Sequence, residues 1–220
     1  MNALVELRGY TLERNGAVIL RNIDLVIQPG ERVALVGPSG AGKSSLLLAL
    51  YELLRDQAAL CPQQLGLVDA LSAYHNIYMA RLERHSLLAN LCNLLYPLPG
   101  PRREVGQLAK AFAIEPLLRR RVVSLSGGER QRVALARACY RGLPVFLGDE
   151  PVSSVDPDQG GRLLAQVCER HATVVAALHS PEQALQNFQR VIGLQGGAVA
   201  FDCPAQSMSQ QALIDFYRDP

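Results

Sequence analysis

Residues 32–54 read RVALVGPSGAGKSSLLLALYELL, and this stretch decides the fold. Arg32 to Val36 is a short apolar run of strand length. Gly37-Pro38-Ser39-Gly40-Ala41-Gly42-Lys43-Ser44 follows at once and fits the pattern G-x-x-x-x-G-K-[ST]. Leu46, Leu47, Leu50, Leu53 and Leu54 then recur at helical spacing. Strand, glycine-rich loop and helix in that order make a phosphate cradle. The glycines let backbone N–H groups converge on phosphate oxygens, and the helix adds the positive end of its dipole. Lys43 is placed for the β and γ phosphates and Ser44 for Mg²⁺, with Ser45 at the same junction. Residues 37–45 are therefore the expected ATP cradle.

Two further segments carry chemistry. Leu125-Ser126-Gly127-Gly128-Glu129-Arg130-Gln131 opens a helix over 127–141. Its Ser-Gly-Gly start is a second anion-binding geometry, and Ser126 with Glu129 also forms a capping box, which does not compete. Val145-Phe146-Leu147 is a buried strand running into Asp149 and Glu150, 21 residues beyond Gly128. Phosphoryl transfer needs positioning and charge neutralisation more than covalent help, so two acids beside a phosphate loop are chemically sufficient.

These motifs make the chain similar to ABC transporter ATPases over essentially its whole length. The resemblance implies Asp149 on Mg²⁺, Glu150 as general base towards water, and His179 as the switch histidine at the γ-phosphate. Gln63, with Gln64 as the alternative, matches the Q-loop glutamine that senses Mg²⁺ and the attacking water; Asn76 lies in register with Gln63. Ser153-Ser154-Val155-Asp156 matches the D-loop, which puts Asp156 at the nucleotide seam. It also implies a head-to-tail homodimer in which Ser126, Gly127 and Gly128 of one subunit close on the ATP of the other.

Two segments resemble the phosphonate-importer branch of that family. They are 76–86 with Leu91–Leu95, and Asp149-Glu150-Pro151-Val152-Ser153-Ser154-Val155-Asp156-Pro157. The implied cargo is a phosphonate or related oxyanion, the implied partners permease subunits and an external solute-binding protein. The alternatives are an exporter or lipid-extraction ATPase and a non-transport ABC protein. There are two departures. Lys43 and Gln63 lie only 20 residues apart, which implies a reduced antiparallel part or a trimmed connection. Relatives stack adenine on an aromatic residue; here spacing puts Arg14 there, able to stack by cation–π contact, with Tyr10 nearby on a strand.

Composition agrees with a globular ATPase: 49% hydrophobic, 19% charged, net charge +2. No basic field argues for nucleic acid, and Arg119-Arg120-Arg121 reads as a solvated helix end. Five scattered cysteines suit neither a disulfide framework nor a zinc site and fit a reduced, cytoplasmic setting. No apolar run has membrane-span length, so the expected location is the inner face of the membrane through a permease. The expected fold is an α/β P-loop cassette with a mostly parallel core sheet. Strands are expected at 3–7, 18–27, 32–36, 145–147 and 174–178, with Asn15-Gly16 turning the first pair and a hairpin over 191–201 turning at Gly196-Gly197. A small antiparallel β part joins the core over 1–62 and 122–220, and a helical insert occupies 63–121. Pro97, Pro99, Gly100 and Pro101 read as a loop within it.

Overall fold

The computed structural model describes residues 3–218. Strand β3 (Arg32–Val36) sits inside a six-stranded sheet, and Val33, Ala34, Leu35 and Val36 are all fully buried. Both faces must therefore be covered, as near-continuous apolar strands of a parallel sheet require. The sheet order is β4 (Ala58–Cys61), β5 (Val145–Asp149), β6 (Thr173–Ala177), β3, β7 (Arg190–Gln195), β8 (Ala198–Pro204). All neighbours are parallel except β7 and β8, a hairpin turning at Gly196-Gly197. Side-chain alternation divides the core. Val33, Leu35, Leu147 and Val175 face helix α1 (Lys43–Leu54), while Ala34, Val36, Phe146 and Val174 face the other helical layer.

Strands β1 (Val5–Arg14) and β2 (Ala17–Ile27) form a separate antiparallel pair that covers α1's side of the sheet. Asn15 and Gly16, both at positive φ, turn it as expected. The first strand runs well beyond the expected 3–7. A bulge carries it on: Gly9, at φ 55°, donates its N–H to Asp24 Oδ1 at 2.8 Å, and the ladder resumes at Tyr10.

Edge strand β4 was not expected. It has four residues, follows α1 after only residues 55–57, and pairs on one side with β5. The helical part contains α2 (Ala73–Tyr78), α3 (Leu87–Leu95) and α4 (Pro99–Ala111). Pro99-Gly100-Pro101 is not a loop but the first turn of α4. There the backbone N–H has no intrahelical acceptor, so proline loses nothing. Arg119-Arg120-Arg121 lies between two 3-10 turns and is exposed, not at an α-helix end. Helices α5 (Gly127–Arg141), α6 (Pro157–Arg170), α7 (Pro181–Asn187) and α8 (Gln210–Arg218) complete the chain. No helix among the described residues is long and apolar enough to cross a membrane.

His171 ends α6 buried against Phe146, with Nδ1 3.0 Å from Val167 O and Nε2 without a partner. Burial lowers its pKa. The unfolded chain then binds a proton more readily than the native one, so stability falls as pH drops below the ordinary histidine value of about 6.5. Urea midpoints should decrease from about pH 7 to about pH 5. His171→Asn, which keeps a donor for Val167, should lose part of that slope.

Candidate functional site

The carboxyl ends of β3, β5 and β6 are adjacent, so the segments that follow them share one rim of the sheet. The 37–44 loop is the first. Gly37 has φ 142°, and a Cβ there would lie 2.1 Å from Leu194 O. Gly42, at φ 101°, is the N-cap of α1. Lys43, itself buried, folds back to donate to Gly37 O (2.7 Å) and Pro38 O (2.9 Å). The loop is thus braced by its own lysine. Ser39 and Gly40 stand exposed at its tip, Ala41 is buried, and Ser44 and Ser45 follow Lys43 in the first turn of α1. Burial lowers the Lys43 pKa, while Glu150 and Asp149 pull it up.

Strand β5 supplies the acids. Burial raises the Asp149 pKa, and a hydrogen bond with the Ser44 side chain opposes this. Asp149 Oδ1 is buried with no hydrogen-bond partner. A buried carboxylate oxygen without a donor, beside a serine hydroxyl, suits a hard divalent cation whose other ligands are water and phosphate oxygens. Mg²⁺ fits these residues.

Glu150 follows at φ +51°. A non-glycine residue held there stores about 1–3 kcal/mol and persists only where its surroundings fix it. They do so here. Glu150 N donates to Ala177 O at 3.1 Å, and Glu150 O accepts from Gln131 Nε2 at 2.8 Å. Its carboxylate Oε1 lies 2.6 Å from His179 Nε2, and Gln63 Nε2 donates to the same oxygen at 3.4 Å. Of the two glutamines left open by the sequence, it is Gln63 whose amide reaches Glu150. Asn76, fully buried, shapes the loop after it by accepting from Val68 N (2.7 Å) and donating to Val68 O and Ser72 O.

The other expected residues lie elsewhere. Ser126 caps α5 in a capping box with Glu129, whose pKa is lowered chiefly by the Ser126 backbone hydrogen bond. Gly127 and Gly128 pack on the segment after Glu150: a Cβ on Gly128 would lie 3.0 Å from Ser154 O. Asp156 caps α6, accepting from Gln159 N at 2.8 Å. Arg14 is exposed beside the hairpin turn, opposite Ala17. Tyr10 is half-buried against the apolar layer under β1 and β2.

Two residues escaped the sequence reading. Gln131 is 2% exposed, and besides holding Glu150 O it accepts from Ser154 N at 2.6 Å. Its signal was present: a glutamine on the same helical face as Ala134 and Leu135, which are buried. Tyr217, from α8, donates its hydroxyl to Leu178 O at 2.7 Å, and its ring centroid lies 6.4 Å from that of His179. Burial raises its pKa, and a backbone hydrogen bond from Gly37 opposes this. The hydroxyl thus ties α8 to the residue before His179, close to the start of the phosphate loop. Tyr217→Phe should keep the fold, cost about 1 kcal/mol of stability and slow ATP turnover several-fold. Thermal melting and phosphate release would measure the two effects.

Residues 20–153 match the protein family described as ABC transporter. The chain is 40% identical to the phosphonates import ATP-binding protein PhnC of Pseudomonas putida, covering 98% of this chain and 90% of that protein. It is 36% identical to the PhnC protein of Polaromonas sp., covering 97% and 87%. The first alignment runs over 248 positions, more than the 220 residues here, so the relative carries residues that this chain lacks. Among solved structures, the dimeric structure of MJ0796, a bacterial ABC transporter cassette, superposes with TM-score 0.75 at 25% identity, covering 91% of this chain and 98% of that one. A dimeric post-hydrolysis state of the same cassette, bound to ADP and Pi, gives TM-score 0.72 at the same identity and coverage.

Proposed function

The chain belongs to the ABC transporter ATP-binding family, and on that premise we propose that it is the ATP-hydrolysing subunit of an importer for phosphonates or a related oxyanion. The observation that carries the chemistry is the meeting, on one sheet rim, of the lysine-braced loop, Asp149 and the Glu150–His179 pair. The near full-length likeness to PhnC proteins supports the cargo.

In this reading residues 37–45 hold the phosphates of ATP, with Lys43 turning from its carbonyls to the β and γ phosphates. Asp149 and Ser44 hold Mg²⁺, which when bound neutralises phosphate charge. Glu150 takes the proton of the attacking water as oxygen bonds to the γ-phosphorus and the bond to the β–γ bridging oxygen breaks. His179 and Gln63 fix the carboxylate of Glu150. Arg14 stacks on adenine.

Gly127 and Gly128 pack on Ser154, on the segment after Glu150. We take two copies to pair head to tail, each offering Ser126, Gly127 and Gly128, with Asp156 at the seam, to the ATP of the other. The core, 1–62 with 122–220, and the helical part, 63–121, act as two mechanical units, the second meeting the permease. The protein then works at the inner face of the membrane, with a solute-binding protein outside.

The test is reconstitution with its permease subunits and binding protein in proteoliposomes. A phosphonate should stimulate ATP hydrolysis and accumulate inside vesicles whose cassettes and ATP are inside, with the binding protein outside. Stimulation by an unrelated solute and not by any phosphonate would remove the cargo assignment and leave the ATPase.

A further inference from the structure

Helix α3 is inside out. Leu87, Leu88, Leu91, Leu94 and Leu95 fall at i, i+1, i+4, i+7 and i+8, which is one face of a helix. Such a stripe ordinarily seeks the core. Here these leucines are 86%, 72%, 55%, 50% and 81% exposed, and Tyr96 after them is 76% exposed. The polar face is the one turned inward. Asn93 is fully buried and its Oδ1 accepts from Tyr74 Oη (2.9 Å) and from Leu98 N (2.9 Å). Asn90 Oδ1 accepts from Tyr78 Oη at 2.7 Å, and its amide donates to Leu82 O at 3.1 Å. Four specific side-chain bonds thus present the leucines outward. A helix left without a partner by weak packing would not carry such anchors.

The charge pattern identifies what lies opposite. Residues 86–101 contain no charged side chain. Arg102 and Arg103 follow the stretch, both exposed; before it Arg84 stands beside exposed Glu83 and donates Nη2 to Arg141 O at 3.1 Å. Arg81 is already paired with Glu104 at 3.0 Å. Tyr96 also lines a cleft of about 630 Å³ together with His75, Arg102, Glu115 and Arg119. An uncharged leucine face ending in a tyrosine and rimmed by arginines has the layering of a bilayer surface: hydrocarbon, interface, anionic headgroups.

We propose that α3 docks on the membrane itself, sinking its leucine face into the acyl boundary of a leaflet while Arg102 and Arg103 meet anionic phosphate headgroups. The occupant is lipid, not the permease and not a second copy. This goes beyond the ATPase reading and does not depend on it. Membrane affinity of such helices scales with buried apolar area plus attraction to anionic lipid, so both halves of the surface are separately testable.

The experiment is flotation of the full chain with protein-free vesicles of phosphatidylethanolamine and phosphatidylglycerol, and with vesicles of phosphatidylcholine alone. The wild type should float with the anionic vesicles, less so with phosphatidylcholine, and less in high salt. Leu87→Gln/Leu91→Gln/Leu95→Gln should bind at least about tenfold more weakly, with unchanged melting. Arg102→Gln/Arg103→Gln should lose the preference for anionic vesicles. As an independent reading on the native face, a polarity-sensitive dye on exposed Cys92, in a Cys203→Ser background, should shift to the blue on anionic vesicles. A wild type that stays unbound with an unshifted dye overturns the proposal, as does a leucine variant that floats like the wild type. Self-association in the absence of vesicles that the leucine variant abolishes would assign the face to a second copy and overturn it equally.

Discussion

Glu150→Gln lowers steady-state ATP hydrolysis by about 10²–10⁴-fold, the contribution of a positioned general base, while MgATP still binds. The substitution is isosteric. The amide keeps the backbone clamps to Ala177 O and Gln131, and its oxygen still meets His179 Nε2. What it loses is the capacity to take a proton from water. A dimer that forms on ATP should therefore persist, because the step that dissolves it is blocked. Phosphate release measures the first effect and gel filtration with and without MgATP the second. Hydrolysis at the wild-type rate would remove Glu150 from the base role.

Lys43→Ala should weaken ATP binding by at least about a hundredfold, as expected when a charged donor loses both its phosphate bonds and its brace. The lysine does two things. It holds Gly37 O and Pro38 O together, and its positive charge offsets Asp149 and Glu150 from within the loop. Removing it relaxes the cradle and leaves two acids facing the triphosphate. The nucleotide-free protein should not lose stability in proportion, since burial already disfavours the lysine's charge. Calorimetric titration with ATP, paired with thermal melting, separates the two. Retained affinity would mean that the loop amides alone hold the nucleotide.

The residues that backbone geometry dictates were the legible ones. Gly37 cannot carry a Cβ because Leu194 O stands in its place, and Asn15-Gly16 turns through positive φ. Constraints of that kind write themselves as residue types at fixed spacing. What long-range contact decides was not legible. Residues 58–61, Ala-Ala-Leu-Cys, have little strand character of their own and form β4 because β5 lies alongside. Pro99 and Pro101 look like loop residues until helix phase shows that they occupy a first turn. Tyr217 reaches Leu178 from 39 residues away, with no motif to announce it. The leucine periodicity of α3 gives its stripe but not the side on which that stripe lies.

Helix α5 has a mechanical consequence. It is one uninterrupted rod of 15 residues, about 22 Å long. Its first turn abuts Ser154, its second grips Glu150 O through Gln131, and farther along Arg137 holds the carbonyls of Leu65 and Gly66, just past Gln63. A stiff shaft cannot rotate at one bearing and stay still at the others. A push arriving at residues 65–66 is therefore delivered to the backbone of Glu150 and to Ser154 in the same stroke, without passing through the sheet. Half-engaged arrangements would have to break one grip while keeping two. The machine is geared to switch, not to drift.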